Sequence, residues 1–484
     1  MLRPYYVLGF MDTTTLALIG VVILVAALLS GLVERTRFPQ VALFLLLGLI
    51  LGPLGLGLVH FELQSQILRT IATLGLVLVL FTDAVGVNFA EVRRNRNLIR
   101  LVLGPGTLLT ASVIAVAAWT LLGLTPTFAA ILGAALASTD PVMMRGLLRG
   151  APEIPGDARQ VLALESGLND IVLLPIVLIA MEVVTRSGAT TNWMRSAISL
   201  FVIGPLAGVL IGFTGVAVLE RVRRWMGVRR DYESLYALGL AFTAYGAAEA
   251  LHGSGFLAAF AAGLTIAASD AELCDCFLDL GQAGAEMFLL FTFVAFGSSL
   301  IWTGLREIGW VTLAFAVVAL GARSLVLALL LPRRLEPRSR RLIVWFGPRA
   351  LSTLLLVLLP VFAGLADSER LFAPAALVVL LSILLHGGAL MVFQRRTPPV
   401  GPGAAPPLEP SRVGRAPERI TLEEVKALQS RGERVLFLDV RKENGWNESD
   451  QKASGALRLP PDNAERRAAE LALPRNDWLV AYCS

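Results

Sequence analysis

Four polar side chains stand together at the start of the apolar stretch LESGLNDIVLLPIVLIAMEVV. They are Glu165, Ser166, Asn169 and Asp170. Residues four apart lie one above the other on a helix, so the four share one side of this one. An acidic side chain at the middle of a bilayer costs about 2.5–3.5 kcal/mol on insertion scales. A membrane helix that keeps two of them therefore has a use for them or a compensation elsewhere in the protein.

Two other apolar stretches are interrupted near their middle by a proline. Thr139 and Asp140 precede Pro141 in the stretch ALASTDPVMMRG. Pro348 precedes Arg349 in the stretch VWFGPRALST. Proline removes a backbone donor and disfavours helix at the residue before it, so both stretches predict a helix that breaks inside the membrane. Such breaks are tolerated where they are buried or line a wet cavity, and they expose helix ends that can bind ions.

These residue types suit a site for a monovalent cation, because hard cations prefer oxygen ligands. Asp140 and Asp170 can supply carboxylates, and Thr139 and Ser166 can add weaker hydroxyl oxygens. Burial and a neighbouring carboxylate favour the neutral form of a carboxyl group, which can then exchange a proton for a metal cation. Two alternatives stay open: Asp140 could cap the half-helix after Pro141, and the hydroxyls could bond to helix carbonyls.

The composition indicates a membrane protein with a polar tail. The chain has 484 residues, of which 55% are hydrophobic and 16% charged, against about 25% charged residues in soluble domains. The apolar stretches lie within residues 1–394, and every lysine lies after them. The positive charge of the membrane part is arginine in short loops, which carries information on topology and does not indicate a nucleic-acid partner.

Apolar stretches long enough to cross a bilayer number about thirteen. The predicted spans are 13–33, 39–59, 70–88, 99–122, 127–148, 158–184, 197–219, 232–250, 254–269, 281–301, 307–331, 341–364 and 371–393. With the N-terminus outside, the loops on the inner side hold nineteen arginines and those on the outer side hold six. This bias predicts a multi-pass protein of the inner membrane whose C-terminal tail is cytoplasmic.

The two proline breaks fall in the fifth and the twelfth predicted span. Two five-helix units, spans two to six and nine to thirteen, would each carry the break in their fourth helix. An odd number of spans per unit makes the two units inverted with respect to each other, which is an arrangement of secondary transporters. The predicted fold class is therefore an all-α polytopic membrane protein with two inverted five-helix repeats and two broken helices that cross.

The motifs resemble those of the monovalent cation/proton antiporter family over roughly residues 13–393. STDPV followed by ESGLND, FGPRA late in the chain, GFLAAFAAGL and LGARSLVL carry this resemblance. The similarity is to the electroneutral sodium/proton exchanger branch, whose signature is Asn-Asp. It implies that Asp170 is the main cation and proton site and that Asn169 supports it. It further implies that Asp140, Thr139 and Ser166 complete the coordination of the ion.

The same resemblance implies supporting roles for four more residues. Glu165 is expected to pair with the buried Arg323 as a structural ion pair, and Arg349 to lie at the second helix break. The segment LFTDAVGVNF is similar to a motif on the third span of the family, which makes Asp83 a candidate on the ion's access path. One departure is Ala350, which stands where the family usually has glycine.

The tail predicts a second, smaller domain. A Pro/Gly-rich linker, 395–418, separates the membrane domain, 1–394, from a polar segment, 419–484. The pattern LDVR…GALRLP…LVAYCS resembles the α/β rhodanese fold, in which a cysteine after a strand carries sulfur, and Cys483 matches that cysteine. Only Ser484 follows it in this sequence, so we expect the segment to be incomplete and not catalytic.

The sequence therefore predicts a secondary transporter, not an enzyme, that exchanges Na+ or Li+ for H+ one to one by alternating access. A K+/H+ antiporter stays open, because ligand types alone do not determine the size of the ion. A membrane-anchored sulfurtransferase or redox-sensing protein is the alternative from another class, and two intramembrane acids disfavour it. We expect no cofactor, no metal besides the transported cation and no nucleic-acid partner. Membrane lipid surrounds the spans, and the family resemblance implies a homodimer.

Overall fold

The chain divides into two compact units, Met1–Thr397 and Pro398–Ser484. The computed structural model describes, besides a few isolated positions, residues 40–59, 61–87, 89–140, 143–144, 154–185, 198–226, 230–269, 287–288, 290–306, 308–389, 422–441, 453–459 and 477–482. The first predicted span and the linker therefore lie outside the described residues, apart from isolated positions in the former.

The described part of the first unit is built from helices. They are α1 (Gln40–Leu51), α2 (Gln66–Val85), α3 (Phe89–Arg94), α4 (Arg96–Leu122), α5 (Pro126–Ala137), α6 (Gly156–Thr185), α7 (Ser199–Met226), α8 (Arg230–Ala250), α9 (Gly255–Ser269), α10 (Leu290–Leu300), α11 (Thr303–Arg306), α12 (Trp310–Leu330), α13 (Pro337–Trp345), α14 (Leu351–Phe362) and α15 (Ser368–Gly387).

Six of these helices are long and apolar enough to cross a membrane: α2, α4, α6, α7, α12 and α15. Five shorter apolar helices, α1, α5, α9, α10 and α14, fall within other predicted spans. Two of the five are short because a break adjoins them. Ser138 after α5 and Phe346 after α13 leave the helix in extended conformation, with ψ of 137° and 107°. Both breaks thus begin within a few residues before the prolines.

The helices pack in two groups. In one group α9 lies against α2, α7 and α8. In the other, α4 packs on α5 and α12, α5 packs on α6 and α14, and α15 packs on α12 and α14. The groups touch where α2 meets α6 and α14. The polar residues of α6 and both breaks therefore lie in the second group, close to its contact with α2.

The second unit holds a small α/β arrangement in its described residues. Helix α16 (Leu422–Ser430) precedes strands β1 (Val435–Asp439), β2 (Leu457–Arg458) and β3 (Trp478–Tyr482). The three strands are parallel in the order β2-β1-β3. The described residues are α/β, as in the fold that the tail resembles, but three short strands do not establish a rhodanese fold. Cys483 lies outside the described residues.

Candidate functional site

Asp170 is a buried carboxylate on α6, 2% exposed. Ser138, in the first break, donates a hydrogen bond from its hydroxyl to Asp170 Oδ1 at 2.6 Å. The Ser352 hydroxyl at the start of α14 is also within hydrogen-bonding reach, and the charge of Asp140 acts on the same carboxyl group. No arginine or lysine among the described residues forms an ion pair with Asp170. Within the described part of the chain, its surroundings are therefore hydroxyls and a second acid, without a counter-charge.

Asp140 ties the two breaks together. Its backbone amide donates to the carbonyl of Pro348 at 2.8 Å. Its Oδ1 accepts from the amide of Met143 at 2.9 Å and its Oδ2 from the amide of Leu351 at 2.8 Å. The side chain thus caps the turn that follows its own break and also the N-terminus of α14. The capping role left open by the sequence is present in the structure, and the ligand role stays a prediction.

Asn169 and Ser166 differ in what they bind. Asn169 Nδ2 donates to Thr139 Oγ1 at 2.8 Å, which holds α6 against the first break. Asn169 Oδ1 is buried without a hydrogen-bond partner among the described residues. The Ser166 hydroxyl donates back to the carbonyl of Ala163 at 3.1 Å, a local bond that serine often makes inside helices. Thr139 and Asn169 are therefore joined across the site, whereas Ser166 bonds within α6.

Glu165 and Arg323 form a buried ion pair between α6 and α12. Arg323 Nε and Nη2 each donate to one oxygen of Glu165 at 2.6 Å, a two-pronged geometry that is strong because both partners are charged. Arg323 Nη1 also donates to the carbonyl of Ile343 at 2.9 Å, near the end of α13. The pair is 4–6% exposed. It links three helices, and Glu165 is fully engaged by its partner.

The backbone at Gly347, in the second break, lies too close to Arg323 to leave room for a side chain. A Cβ on Gly347 would lie 2.6 Å from Arg323 Cδ and 2.9 Å from Nε, so any side chain there would displace the ion pair. Ala350 has a φ of −149°, which is outside the left-handed region. Arg349, between them, is 1% exposed, and its three guanidinium nitrogens have no hydrogen-bond partner among the described residues.

Asp83 lies on α2 where that helix contacts α6. A Cβ built on Gly167 would be 3.6 Å from Asp83 Cβ and 3.7 Å from Cγ, an ordinary contact distance. Gly167 precedes Asp170 by less than one helical turn. The structure therefore brings Asp83 to the contact between the two helix groups, beside the polar cluster of α6.

The sequence analysis missed Ser138 and Ser352, which lie at Asp170, and Ser382 and His386, which lie against the second break. We did not predict Ser138 and Ser352, because a serine beside a helix break has no characteristic spacing from the other site residues. Their only signal was adjacency to Thr139 and to the motif FGPRA. Ser382 and His386 lie on α15, far along the chain, and nothing local connects them to the breaks.

The second unit has its own buried ion pair. Asp439, fully buried at the end of β1, receives Arg441 Nη2 at 2.7 Å and the Tyr482 hydroxyl at 2.7 Å. The Arg441 guanidinium beside it holds the pKa of the Asp439 carboxyl well below its usual range. This cluster joins β1 to β3, and both of its charges are matched within the unit.

Comparison with known proteins identifies the type of membrane domain. Residues 13–394 match the model of the family described as sodium/hydrogen exchanger, transmembrane. The K+/H+ antiporter NhaP of Alkalimonas amylolytica is 26% identical over 393 residues, covering 79% of this chain and 66% of that protein. NhaP2 of Shewanella sp. strain ANA-3, also named a K+/H+ antiporter, is 26% identical over 77% of this chain and 65% of its own length. The chain thus spans just under two thirds of these relatives.

A solved structure supports the fold. The sodium/proton antiporter MjNhaP1 from Methanocaldococcus jannaschii superposes with a TM-score of 0.64 at 18% identity, over 78% of this chain and all of that one. The helical multi-pass fold is therefore that of MjNhaP1. Because the family model matches well over half of the chain, the protein belongs to the sodium/hydrogen exchanger family of membrane proteins.

Proposed function

We propose that this protein exchanges a monovalent cation, Na+ or Li+, for H+ across the cytoplasmic membrane. Asp170 carries the observation on which the proposal depends: it is a buried acid beside two crossing helix breaks, without a cationic partner among the described residues. A carboxylate in that position binds either a proton or a metal cation. Because both compete for the same oxygens, their movements are coupled.

Ser138, Asn169 and Asp140 complete the proposed ion site with different roles. The Ser138 hydroxyl already contacts Asp170 and can turn a lone pair towards a cation. The unpartnered Asn169 Oδ1 is a further oxygen close to the site. Asp140 holds both breaks through backbone amides and adds a negative charge. Thr139 and Ser166 contribute through hydrogen bonds to Asn169 and to α6.

Charge balance supports an exchange of one cation for one proton. Besides His386, the buried ionisable side chains around the crossing are, in the described part of the chain, three acids and two arginines: Asp140, Glu165, Asp170, Arg323 and Arg349. Their ionised forms sum to one negative charge. One monovalent cation or one proton neutralises this cluster, whereas the empty site leaves a net charge inside the membrane, which is costly. The loaded cluster therefore moves most easily.

We extend the proposal to the architecture of the whole chain. The arginine bias supports thirteen spans and a cytoplasmic tail, and the placement of both breaks supports two inverted five-helix repeats. The homodimer is inferred from the family. The domains are the membrane unit 1–394, the linker 395–418 and the tail 419–484. Alternating access would bring α6 and both breaks to either side past α2, with Asp83 on the ion's path. A membrane part that serves only as an anchor for sulfur chemistry does not fit this family.

K+/H+ exchange is the second candidate, and the names of the relatives favour it. Both relatives described above are named K+/H+ antiporters, whereas MjNhaP1 is named a sodium/proton antiporter. Carboxylate and hydroxyl oxygens suit all three alkali cations, so the ligand types do not separate the candidates.

Everted membrane vesicles from a host without its own antiporters test the function. The vesicles are acidified by respiration, a pH-sensitive dye reports the gradient, and sodium, lithium, potassium or choline chloride is added. We expect sodium and lithium to release protons and choline to have no effect. A response to potassium alone would establish the second candidate, and no response to any of the three metals would contradict both.

A further inference from the structure

His386 is a buried histidine that the exchange reaction does not use. It lies on α15, 7% exposed, within the π-helical turn Ile383–Gly387. Turns of this kind are rare and recur at functional sites. The ring of His386 is 6.3 Å from that of Trp345, the last residue of α13, and it lies within hydrogen-bonding reach of the Trp345 backbone. His386 therefore touches the second break from the side of α15.

Ser382, one helical turn before His386, touches the other end of the same break. Its hydroxyl is fully buried and accepts a hydrogen bond from the backbone amide of Arg349 at 2.8 Å. The same hydroxyl lies 3.1 Å from His386 Nδ1. His386 Nδ1 also lies 3.2 Å from the carbonyl oxygen of Ser382, so the ring is held to Ser382 whichever of its nitrogens carries the proton.

We propose that His386 and Ser382 position the second helix break for ion exchange. Together they form a bracket on α15: Ser382 holds the Arg349 amide, and His386 contacts the Ser382 hydroxyl and packs against Trp345. This inference rests on the proposed function and goes beyond it, because neither residue contacts the cation site. His386 is thus a positioning residue and not an ion ligand.

The bracket matters because the break has few other means of satisfying its backbone. At the end of α13, Arg323 binds the carbonyl of Ile343, and Ser324 binds the carbonyl of Val344 at 2.9 Å. Ser382 holds the Arg349 amide, and the His386 ring lies within hydrogen-bonding reach of the Trp345 backbone. An unsatisfied backbone group in the membrane interior is energetically costly, so the loop would move to recover these bonds.

Movement of the loop would reach the ion site directly. Pro348 holds the amide of Asp140, Leu351 donates to the Asp140 carboxylate, and Ser352 faces Asp170. All three lie within three residues of Arg349. A looser break therefore displaces the oxygens around Asp170 while leaving the carboxylate itself in place, and we expect weaker cation binding with a smaller change in the maximal rate.

The test combines transport kinetics with hydrogen exchange on the full chain. We expect His386→Ala and Ser382→Ala each to raise the KM for the cation roughly five- to tenfold, since each removes hydrogen bonding that holds the break. The double variant should be no worse than either single one. The matched control is His252→Asn, because His252 is an exposed loop residue with a φ of 59°, which asparagine tolerates.

Hydrogen–deuterium exchange of the purified protein keeps the test independent of transport. We expect faster exchange of the amides of 346–355 in both single variants and unchanged exchange in His252→Asn. The proposal is overturned if both the KM and the hydrogen–deuterium exchange are unchanged in the two single variants. It is also overturned if the effects of the two substitutions on KM add in full in the double variant. If His386→Ala does not accumulate, Ser382→Ala and His386→Asn decide. If the wild-type protein transports no cation, the proposed function fails. Hydrogen–deuterium exchange of the amides at the break still decides this inference.

Discussion

Glu165 and Asp170 are two buried acids on the same helix, and their surroundings are opposite. Glu165 receives two hydrogen bonds of 2.6 Å from Arg323, and together they form a matched pair. Asp170 receives a hydroxyl from Ser138, and the charge that acts on it is that of another acid, Asp140. Both sites are almost completely closed to solvent.

The difference teaches which acid can carry an ion. An acid whose charge is already matched by arginine gains little from a cation and loses much if it is protonated. An acid surrounded by hydroxyls lacks a counter-charge, so a proton or a metal cation is the partner that completes it. We therefore interpret Glu165 as scaffold and Asp170 as the exchange site.

The largest expected effect is that of Asp170→Asn. The amide keeps the shape of the side chain but can neither be protonated nor attract a cation, so sodium-dependent proton release in vesicles should fall to the level of vesicles without the protein. The matched control is Asp367→Asn, because the side chain of Asp367 is 60% exposed. Persistent exchange in Asp170→Asn would show that the titrating group lies elsewhere.

Breaking the ion pair of Glu165 and Arg323 should lower the stability of the protein more than it impairs cation/proton exchange. We expect Arg323→Leu to destabilise the protein by about 3–5 kcal/mol, because it leaves Glu165 charged and unpaired in the interior. The double variant Glu165→Leu, Arg323→Leu should recover part of that loss. Thermal unfolding of the purified protein, followed by loss of monodisperse material, measures both. A double variant less stable than Arg323→Leu would contradict a scaffold role.

Gly347→Ala tests the same pair through its packing. The added methyl group would meet Arg323 Cδ at 2.6 Å, and crowding of this kind costs about 1–3 kcal/mol. We expect a lower unfolding temperature. The control is Gly321→Ala on α12, where a Cβ meets nothing within 4 Å. Equal unfolding temperatures for the two variants would show that the second break is looser than the structure indicates.

Ser138→Ala sharpens the description of the exchange site. The change removes the hydroxyl that donates to Asp170 and adds no volume. A hydrogen bond to a charged group contributes about 1.5–3 kcal/mol. We expect a higher KM for the cation and a pH profile of exchange that differs from wild type, because the hydroxyl acts on the protonated and ionised forms differently. Vesicle titrations at several pH values measure both. A KM and profile equal to those of wild type would remove Ser138 from the site.

The smallest effect on transport is expected from the second unit. Asp439→Asn breaks the pairing with Arg441, so we expect faster proteolysis of the tail and cation-dependent proton release within error of wild type. Because folding lowers the pKa of Asp439, its contribution to stability is complete above about pH 4 and is lost as the pH falls further. Altered transport with an intact membrane unit would instead indicate that the tail regulates exchange.

The positions of the helices and the polar cluster of α6 were predictable because they depend on local patterns. Apolar length determines which segments can span a bilayer, and proline interrupts a helix wherever it stands. The breaks after Ala137 and Trp345 accordingly begin shortly before Pro141 and Pro348. Pairing of Glu165 with Arg323 was expected only from the family resemblance, since 158 residues separate the two.

The contacts of Ser138, Asp140 and His386 could not be predicted, for a physical reason. A hydroxyl, a carboxylate or an imidazole beside a break has several backbone groups to choose from, and chain distance does not rank them. Asp140 illustrates this, because one oxygen binds the amide of Met143 and the other that of Leu351, 211 positions along the chain.

By itself the sequence determined that the chain is a multi-pass membrane protein with acids and helix breaks within its apolar spans. It could do so because apolar length, charge and proline are properties of local residue types. Only the tertiary structure decided which acid is matched by arginine, which breaks touch and which side chains close them. These outcomes depend on which helices meet. Burial makes them matter, since a charge or backbone group in the membrane interior must find its partner within the protein.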